Sequence, residues 1–333
     1  MQCASGAPDP ARRRVVLGGA AGVALGVAAG RAAAQGFVKR PVRIIVAQTP
    51  ATGPDIIARL LAPQLQERFD TPFIVENHPG ASGAIGAGMV AHAAPDGQTI
   101  MVNVATMFIY PHLLAKLNFD VVDSFQPITH VASTSLALAV NPSMPVNDLH
   151  EFIAYVKARP GQLHYGSPGN GTHHHLCMEL LKLQAGLDIV HVPYKDSGGA
   201  TGDLLSGQIP MMFLPIHVAL PMQRAGKIKL LGESLRERHP LFPDLPSIAE
   251  QGLPDFDVDL WFGVWGPMGL SQETTTRYNS ELRAIIGEPS MREKFAQQGL
   301  VPKTSTPEEL HQISVAEFEK WGRVVREAKI TAD

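Results

Sequence analysis

Residues 165–175 concentrate small, polar and ionisable side chains in the run YGSPGNGTHHH, and a second polar run, HVPYK, follows at residues 191–195. The first run predicts a strand end that breaks into glycines and then opens a helix near Thr172. Glycines let backbone N–H groups approach a ligand closely, and the N-terminus of a helix carries a partial positive charge. The pattern therefore favours a site for a small carboxylate, which the protein captures rather than transforms.

Ser167, which has several histidines nearby in the sequence, allows a second interpretation as the nucleophile of a serine hydrolase. The residues around it read Gly166-Ser167-Pro168-Gly169, which is not the G-x-S-x-G turn that presents such a nucleophile. Pro168 also lacks the N–H group that an oxyanion hole would need directly after the serine. The sequence thus favours binding over catalysis, and we expect no catalytic residues.

No residue pattern indicates a metal ion or a cofactor, and we expect neither. His173, His174 and His175 are consecutive, so on a helix their side chains point about 100° apart and cannot converge on one ion. We expect His173 to face a cleft and the other two to pack or to lie on the surface. The glycines of residues 77–88 do not have the G-x-G-x-x-G spacing of a dinucleotide site.

Short apolar runs alternate with helical patterns along most of the chain, which predicts an α/β fold. Ligands of such folds bind at the carboxyl ends of parallel strands, where the glycine-rich turns of this sequence lie. Two successive units are indicated, with a strand that returns to the first unit near residue 258. The predicted strands are residues 42–47, 73–76, 98–104, 136–140, 164–166, 189–192, 209–213, 228–232 and 258–264.

The N-terminal 34 residues have the pattern of an export signal. Three arginines at residues 12–14 precede an uncharged run to Gly30, and Ala32, Ala33 and Ala34 form a cleavage site. The arginines before Val-Val-Leu resemble a twin-arginine signal. Because the apolar run is shorter than the ~20 residues of a membrane-spanning helix, we expect a cleaved signal and a periplasmic protein that begins at Gln35.

The charge of the mature chain excludes some partners. Removal of residues 1–34 takes away four of the 28 basic and one of the 31 acidic residues, which leaves a net charge of −6. We therefore expect no binding to nucleic acid or to anionic membranes. Only Cys177 remains of the two cysteines, so no disulfide framework is available. About 300 residues can supply a large core instead, usually in two domains.

Six motifs in order along the mature chain resemble the Bug family, the extracytoplasmic solute receptors of tripartite tricarboxylate transporters. Each motif is weak by itself, but together they cover nearly all of the mature chain at the expected spacing. The motifs are RPVRIIV at residues 40–46, VENHPGASG at 75–83, APDGQT at 94–99, YGSPGNGT at 165–172, HVPYK at 191–195 and DLLSGQI at 203–209.

The resemblance implies a two-lobed periplasmic-binding-protein fold of the type II kind, in which each lobe is a mostly parallel sheet flanked by helices. Strands that cross between the lobes join them, and a cleft closes on a small organic carboxylate. We expect lobe one to comprise residues 35–138 and 260–333, and lobe two residues 139–259. The implied partners are the membrane subunits of the transporter, and we expect a monomer. Two alternatives stay open: an exported serine hydrolase and a ligand-dependent partner of a membrane kinase.

The candidate ligand-binding residues come from the turns of both lobes. Asp55 is expected to cap a helix first and to contact the ligand second. Lobe one supplies Gln48, Thr49, Ala51, Thr52, Asp55, Ser82, Asn103 and Thr106, and lobe two supplies Ser167, Gly169, Gly171, Thr172, His173 and Asp196.

Five positions depart from the usual residues of the Bug family. Gln48 stands in place of an aromatic residue, and Ala51-Thr52 in place of a glycine pair. Asp196 replaces a glycine, and Leu214 replaces a frequent aspartate. If Asp196 and Leu214 both face the ligand, a tricarboxylate is disfavoured, and a carboxylate with an apolar, amide or cationic portion is favoured. The alternative is that Asp196 points to solvent and only caps the helix that begins near Gly198.

Overall fold

The computed structural model describes residues 40–114 and 116–331, with the side chain of Ser82 left out. The predicted export signal, residues 1–34, lies outside this part of the chain. No helix among the described residues combines the length and the apolar character needed to cross a membrane.

Two β-sheets, each flanked by helices, form the two lobes of the molecule, as predicted. The first sheet has the strand order β11-β4-β10-β3-β1-β2, and the second has the order β7-β6-β8-β5-β9. The strands are β1 (Val42–Val46), β2 (Phe73–Asn77), β3 (Thr99–Val104), β4 (Phe125–Thr134), β5 (Leu136–Val140), β6 (His164–Ser167), β7 (Val190–Pro193), β8 (Met211–Pro215), β9 (Lys229–Glu233), β10 (Leu260–Pro267) and β11 (Val301–Pro302).

Helices cover the sheets and follow most of the strands. Two short 3₁₀ helices, Ala81–Gly83 and Ala105–Ile109, lead into α2 and α3. The α-helices are α1 (Gly53–Phe69), α2 (Ala84–Ala91), α3 (Tyr110–Leu113), α4 (Leu149–Lys157), α5 (His173–Ala185), α6 (Ser197–Ser206), α7 (Ile216–Arg224), α8 (Gln272–Gly287), α9 (Pro289–Gln297) and α10 (Pro307–Glu327).

Most strands of each sheet run in one direction. The first strand after the chain crosses from the other lobe, β5 in one sheet and β10 in the other, is antiparallel to its neighbours. In the first sheet, β10 is antiparallel to both β3 and β4, whereas β1 is parallel to β2 and β3. In the second sheet, β5 is antiparallel to β8 and β9, whereas β6 is parallel to β7 and β8. The carboxyl ends of β1 and β3 and those of β6 and β8 are consequently followed by the turns that face the space between the lobes.

The chain changes sheets at Ser135, which is fully buried between the end of β4 and the start of β5. The predicted boundary between residues 138 and 139 falls inside β5, three residues after this point. The sequence does not predict β4 as a strand, so no predicted element ends the first sheet at Thr134. The return boundary was placed before residue 260, which is where β10 begins.

Each lobe has its own apolar core. In the first lobe, Trp261 and Trp265 of β10 pack with Phe108 and Met101, and all four side chains are buried. In the second lobe, Met212 and Leu214 of β8 pack with neighbouring helices in the same way. These cores fix the strand ends, and so they also fix the turns between the lobes.

Candidate ligand-binding cleft

The turns that follow the strands line one cleft of about 950 Å³, to which both lobes contribute. Ten of the predicted site residues lie on its wall. They are Gln48, Thr49, Ala51, Thr52 and Thr106 from the first lobe, and Gly169, Gly171, Thr172, His173 and Asp196 from the second.

The turn after β1 is held in shape by its own polar groups. The hydroxyl of Thr52 donates a hydrogen bond to the carbonyl of Thr49 at 2.7 Å, and the N–H of Ala51 donates to Asp55 Oδ2 at 2.9 Å. Ala51 has a φ of 65°, in the left-handed region that favours glycine. A non-glycine residue in this region is strained, and the bond from its N–H to Asp55 holds it there.

Asp55 has a different position from the one predicted. Thr52 is the N-cap residue of α1, and Asp55 lies buried within the first helical turn, away from the cleft wall. Its Oδ1 accepts a hydrogen bond from Arg59 Nε at 3.0 Å. Burial by itself would raise the pKa of Asp55, but hydrogen bonds from Arg59 and from the N–H of Ala51 bring the pKa below its usual value. Asp55 therefore supports the turn as a carboxylate.

Asn103 also lies behind the cleft wall rather than on it. It is fully buried, and its Oδ1 accepts hydrogen bonds from Gln48 Nε2 at 2.8 Å and from the N–H of Val104 at 2.9 Å. Gln48 is thereby oriented with its Oε1 buried and without a partner among the described residues. The side chain of Ser82 is outside the described structure, so its role stays a prediction, but Gly80 and Gly83 on either side line the cleft.

Ser167 is buried at the end of β6 and does not line the cleft, in contrast to the prediction. Its hydroxyl oxygen lies 2.7 Å from His191 Nε2 and accepts a hydrogen bond from the N–H of Gly169 at 3.1 Å. The sequence motif did not reveal this, because the direction of one side chain at a strand end depends on the neighbouring strand. Ser167 holds the glycine turn in place from behind.

Two backbone N–H groups of the glycine turn are already used within the protein. The N–H of Gly169 donates to Ser167, as above, and the N–H of Gly171 donates to His175 Nδ1 at 3.1 Å. Both glycines have positive φ values, 119° and 73°. At Gly171 a Cβ would lie 2.2 Å from Leu113 Cδ1, so the turn requires glycine there for space as well as conformation. These two residues shape the wall and do not offer their N–H groups to a ligand.

The N-terminus of α5 supplies the donors instead. Thr172 is the N-cap residue; its hydroxyl donates to the carbonyl of Gly169 at 2.9 Å and accepts from the N–H of His175 at 3.4 Å. The N–H groups of His173 and His174 are the first two of the helix, and such groups have no acceptor within a helix. Both residues line the cleft, where the positive end of the helix favours an anion.

The three histidines of α5 differ in their surroundings. His173 and His174 both line the cleft, and burial lowers the pKa of His173 to about 3 and that of His174 to about 4. His175 faces away and stacks on His191, with 4.0 Å between the ring centroids. Among the described residues, no three His, Cys, Asp or Glu side chains are grouped so that they could hold a metal ion.

Asp196 combines the two alternatives that the sequence left open. Its Oδ1 accepts a hydrogen bond from the N–H of Gly199 at 2.9 Å and caps α6, which begins at Ser197. It also lines the cleft next to Lys195, and both side chains are exposed at the rim. Leu214 lines the cleft as well and is buried. One part of the wall is therefore charged and another apolar.

Several residues that line the cleft are not among the predicted site residues, and some of them lie in or next to elements that the sequence did not predict. Ile109 directly precedes the short helix α3, and Tyr110 and Leu113 are its first and last residues. These three residues line the cleft together with Thr134, the last residue of β4. Phe262 of β10 also lines the cleft, whereas Trp261 and Trp265 of the same strand lie in the core. His217, Gln298 and Leu300 complete the apolar and polar wall from later parts of the chain.

Residues 57–330 match the family described as the tripartite tricarboxylate transporter family receptor. The chain belongs to this family. The protein BugT of Bordetella pertussis is 32% identical over 293 residues, which cover 87% of this chain and 90% of BugT. Both the family and this relative confirm the resemblance stated from the sequence motifs.

Solved structures of similar sequence have the same fold. Rpa4515 of R. palustris, determined with adipate, has a TM-score of 0.80 and 30% identity over 90% of this chain and 100% of that one. MatC of Rhodopseudomonas palustris, determined with bound malate, has a TM-score of 0.76 and 29% identity over 87% of this chain and 100% of that one.

Proposed function

We propose that this protein is a periplasmic receptor that captures a small organic carboxylate between its lobes and delivers it to the membrane subunits of a tripartite tricarboxylate transporter. The family supports the role in transport, and the two similar proteins with adipate and malate support a carboxylate as ligand. The observation that carries the proposal is the N-terminus of α5, which lies on the wall of a 950 Å³ cleft built by both lobes.

The cleft wall fits an anion that also has an apolar part. The N–H groups of His173 and His174 are donors at a positive helix end, and the hydroxyls of Thr49 and Thr106 lie on the opposite lobe. Donors of this kind replace the water that a carboxylate loses on burial. Leu214, with other apolar side chains, supplies surface for the rest of the ligand.

The proposal also covers the export of the protein, its division into lobes and its oligomeric state. Cleavage after Ala34 would release a chain that works in the periplasm as a monomer. Lobe one would then end at Ser135 and resume with β10, and lobe two would lie between these points. Closure of the lobes would enclose the ligand.

We also propose that the protein binds without catalysis, although Ser167 and His191 lie within hydrogen-bond distance. The Ser167 side chain is fully buried and does not line the cleft, so a bound ester could not reach its hydroxyl. Pro168 follows it and offers no N–H group to an oxyanion. A fluorophosphonate probe should therefore form no adduct at Ser167, and a stoichiometric adduct would support the hydrolase.

Thermal unfolding in the presence of adipate, malate and citrate tests the binding function. A ligand present at 100 times its dissociation constant stabilises the folded state by ~2.7 kcal/mol, which raises the unfolding temperature measurably. Adipamide, which has the shape of adipate without its charge, is the matched control and should leave the temperature unchanged. If neither these acids nor monocarboxylates raise the temperature, the proposed function is wrong.

A copurification test addresses the partner. Liganded protein, immobilised through its C-terminus, should retain the membrane subunits of a tripartite transporter from detergent extracts. Retention of a membrane kinase instead would favour the sensor alternative.

A further inference from the structure

His173 and His174 present four ring nitrogens at the positive end of α5, and none of the four has a hydrogen-bond partner among the described residues. His173 is 2% exposed, and the ring nitrogens of His174 are buried as well. Both residues line the cleft. A neutral imidazole has one N–H donor and one bare nitrogen that accepts, so the pair offers two donors and two acceptors in total. Buried groups of this kind cost free energy until a partner is supplied.

The surroundings keep the two imidazoles neutral. Burial is the main cause of the low pKa of His173, and the positive charges of a protonated His174 and of Lys320 lower it further. Lys320 is itself held by the carbonyl of Asp257 at 2.7 Å and lies near Glu317. The ring of His173 meets the ring of Trp321 at an interplanar angle of 90°, with 5.9 Å between the centroids. The imidazoles of His173 and His174 therefore stay neutral beside these charged neighbours, and both imidazoles act as hydrogen-bonding groups.

We propose that His173 and His174 determine ligand specificity by pairing with a hydroxyl group that the bound carboxylate carries. The proposal rests on the proposed function, since it concerns the same cleft. A carboxylate held by the N–H groups of α5 can only accept hydrogen bonds, so it satisfies the imidazole N–H groups but not the bare nitrogens. A hydroxyl group on the same ligand donates a proton to a bare nitrogen. The substrate class that satisfies the wall is thus a hydroxycarboxylate.

A carboxylate without the hydroxyl leaves a buried acceptor unpaired. Sites built to pair with a hydroxyl discriminate strongly against the analogue that lacks it, because the polar group of the site is then left without a partner. We expect malate to bind at least fivefold more tightly than succinate, and 3-hydroxybutyrate at least fivefold more tightly than butyrate.

Titration calorimetry with these two pairs of acids tests the proposal on the wild type and on five variants. His173→Phe and His174→Phe remove the nitrogens, and the ratio between the members of each pair should fall towards one. His173→Gln and His174→Gln keep a donor and an acceptor and should retain most of the ratio, which separates the effect from a loss of folding. His150→Phe changes an exposed histidine of α4, outside the cleft, and should leave the ratio at the wild-type value.

Equal affinities within each pair for the wild type would overturn the proposal, as would ratios that the phenylalanine variants leave unchanged. Repeating the titrations in buffers of different ionisation enthalpy provides a further check. Uptake of a proton on binding would mean that the imidazoles bind as cations, which also overturns it. If none of the four acids and neither adipate nor citrate binds, the proposed function falls together with this inference. Binding without discrimination removes only the inference.

Discussion

Ala51 shows how a single residue can be held in a conformation that its own side chain disfavours. Its φ of 65° is fixed by neighbours, since Asp55 accepts its N–H and Thr52 closes the turn onto Thr49. Ala51 belongs to the pair that stands where the Bug family usually has two glycines. The structure accommodates the Cβ and keeps the turn, so the cost is conformational.

Replacing Ala51 with glycine should therefore stabilise the protein. Glycine adopts positive φ without strain, and we expect Ala51→Gly to raise the free energy of unfolding by about 0.5–1 kcal/mol. Ala154 is a matched control, because it is also exposed but lies inside helix α4. Ala154→Gly should lower the free energy of unfolding by about 0.5–1 kcal/mol. Denaturation in urea measures the free energy of unfolding of both variants. A lower value for Ala51→Gly than for the wild type would contradict the inference that Ala51 is strained.

Residue types predicted which turns line the cleft, but not which side chains face it. Thr172 and His173 follow a motif whose helix start is local, and both lie on the wall. Ser167 and Asn103 sit at the ends of strands, where facing the cleft or the core depends on the twist of the sheet and on the partner strand. Those contacts join residues far apart in sequence, so a single sequence does not contain them.

Helix α5 is the element on which the site depends. Its N-cap, Thr172, ties the glycine turn to the helix by donating to Gly169 and accepting from His175. Removing the hydroxyl should affect both the stability of the helix and the position of its first N–H groups.

Thr172→Ala should lower the free energy of unfolding by about 1 kcal/mol and weaken the binding of a carboxylate as well. Ser271 is the N-cap of α8, where it accepts from the N–H of Thr274 at 3.1 Å, and it does not line the cleft. Ser271→Ala should cost a similar free energy of unfolding without a change in affinity. Urea denaturation and calorimetry with the bound acid distinguish the two effects. Equal affinities for both variants would place Thr172 outside the binding site.

Regular elements were predictable where apolar periodicity is strong, and β4 shows where that signal fails. The strand reads FQPITHVAST, with Pro127, His130 and four hydroxyl or amide residues. Its polar groups are satisfied from distant parts of the chain. Thr129 donates to the carbonyl of Ser305 at 2.9 Å, and Asn279 donates to the carbonyl of Ile128 at 2.7 Å. When the polar groups of a buried strand bond to distant residues, the strand can contain polar side chains. Its sequence then lacks the apolar run by which a buried strand is predicted.

At the scale of the whole molecule, Ser234 joins the two crossings between the lobes. It is fully buried; its N–H donates to the carbonyl of Leu136 at 2.8 Å, and its hydroxyl accepts from the N–H of Leu136 at 3.0 Å. The same hydroxyl donates to the carbonyl of Val258 at 2.7 Å. One side chain thus links the chain that enters lobe two to the chain that leaves it.

Ser234→Ala should lower the free energy of unfolding by about 1–3 kcal/mol, because a buried N–H and a buried carbonyl lose their partner. Ser280 is exposed on α8, and its hydroxyl donates to the carbonyl of Arg277 within the same helix. Ser280→Ala should change the free energy by less than about 0.5 kcal/mol. Urea denaturation of both variants gives the comparison, and similar values for the two would show that the crossings are not coupled through Ser234.

Acid should destabilise the protein in a range set by its buried histidines. Burial lowers the pKa of His173 to about 3 and those of His174 and His239 to about 4, below the ~6.5 of an unfolded chain. Between pH 6.5 and 4 the unfolded state binds more protons, so the free energy of unfolding falls as the pH falls. Each such histidine contributes up to about 1.4 kcal/mol per pH unit.

The difference between variants isolates this effect, because the carboxyls of the buried Glu233 and the partly buried Glu317 act in the opposite direction. Burial raises their pKa, so they add stability as the pH falls. His174→Gln removes one titrating group, and its stability should fall less steeply than that of the wild type between pH 6.5 and 4.5. Ser280→Ala, at an exposed position without a titrating group, should keep the wild-type slope. Identical slopes for all three proteins would contradict a buried neutral His174.

The strand order also determines which lobe the chain can complete first. The second sheet is built from one unbroken stretch, Leu136 to Glu233, whereas the first sheet needs β10 between β3 and β4. A chain that emerges from its N-terminus therefore finishes lobe two while lobe one still has a gap. All three tryptophans of the sequence, Trp261, Trp265 and Trp321, arrive with the returning segment. Tryptophan fluorescence will thus report chiefly the late closure of lobe one, and it will sense lobe two through the contact of Trp321 with His173.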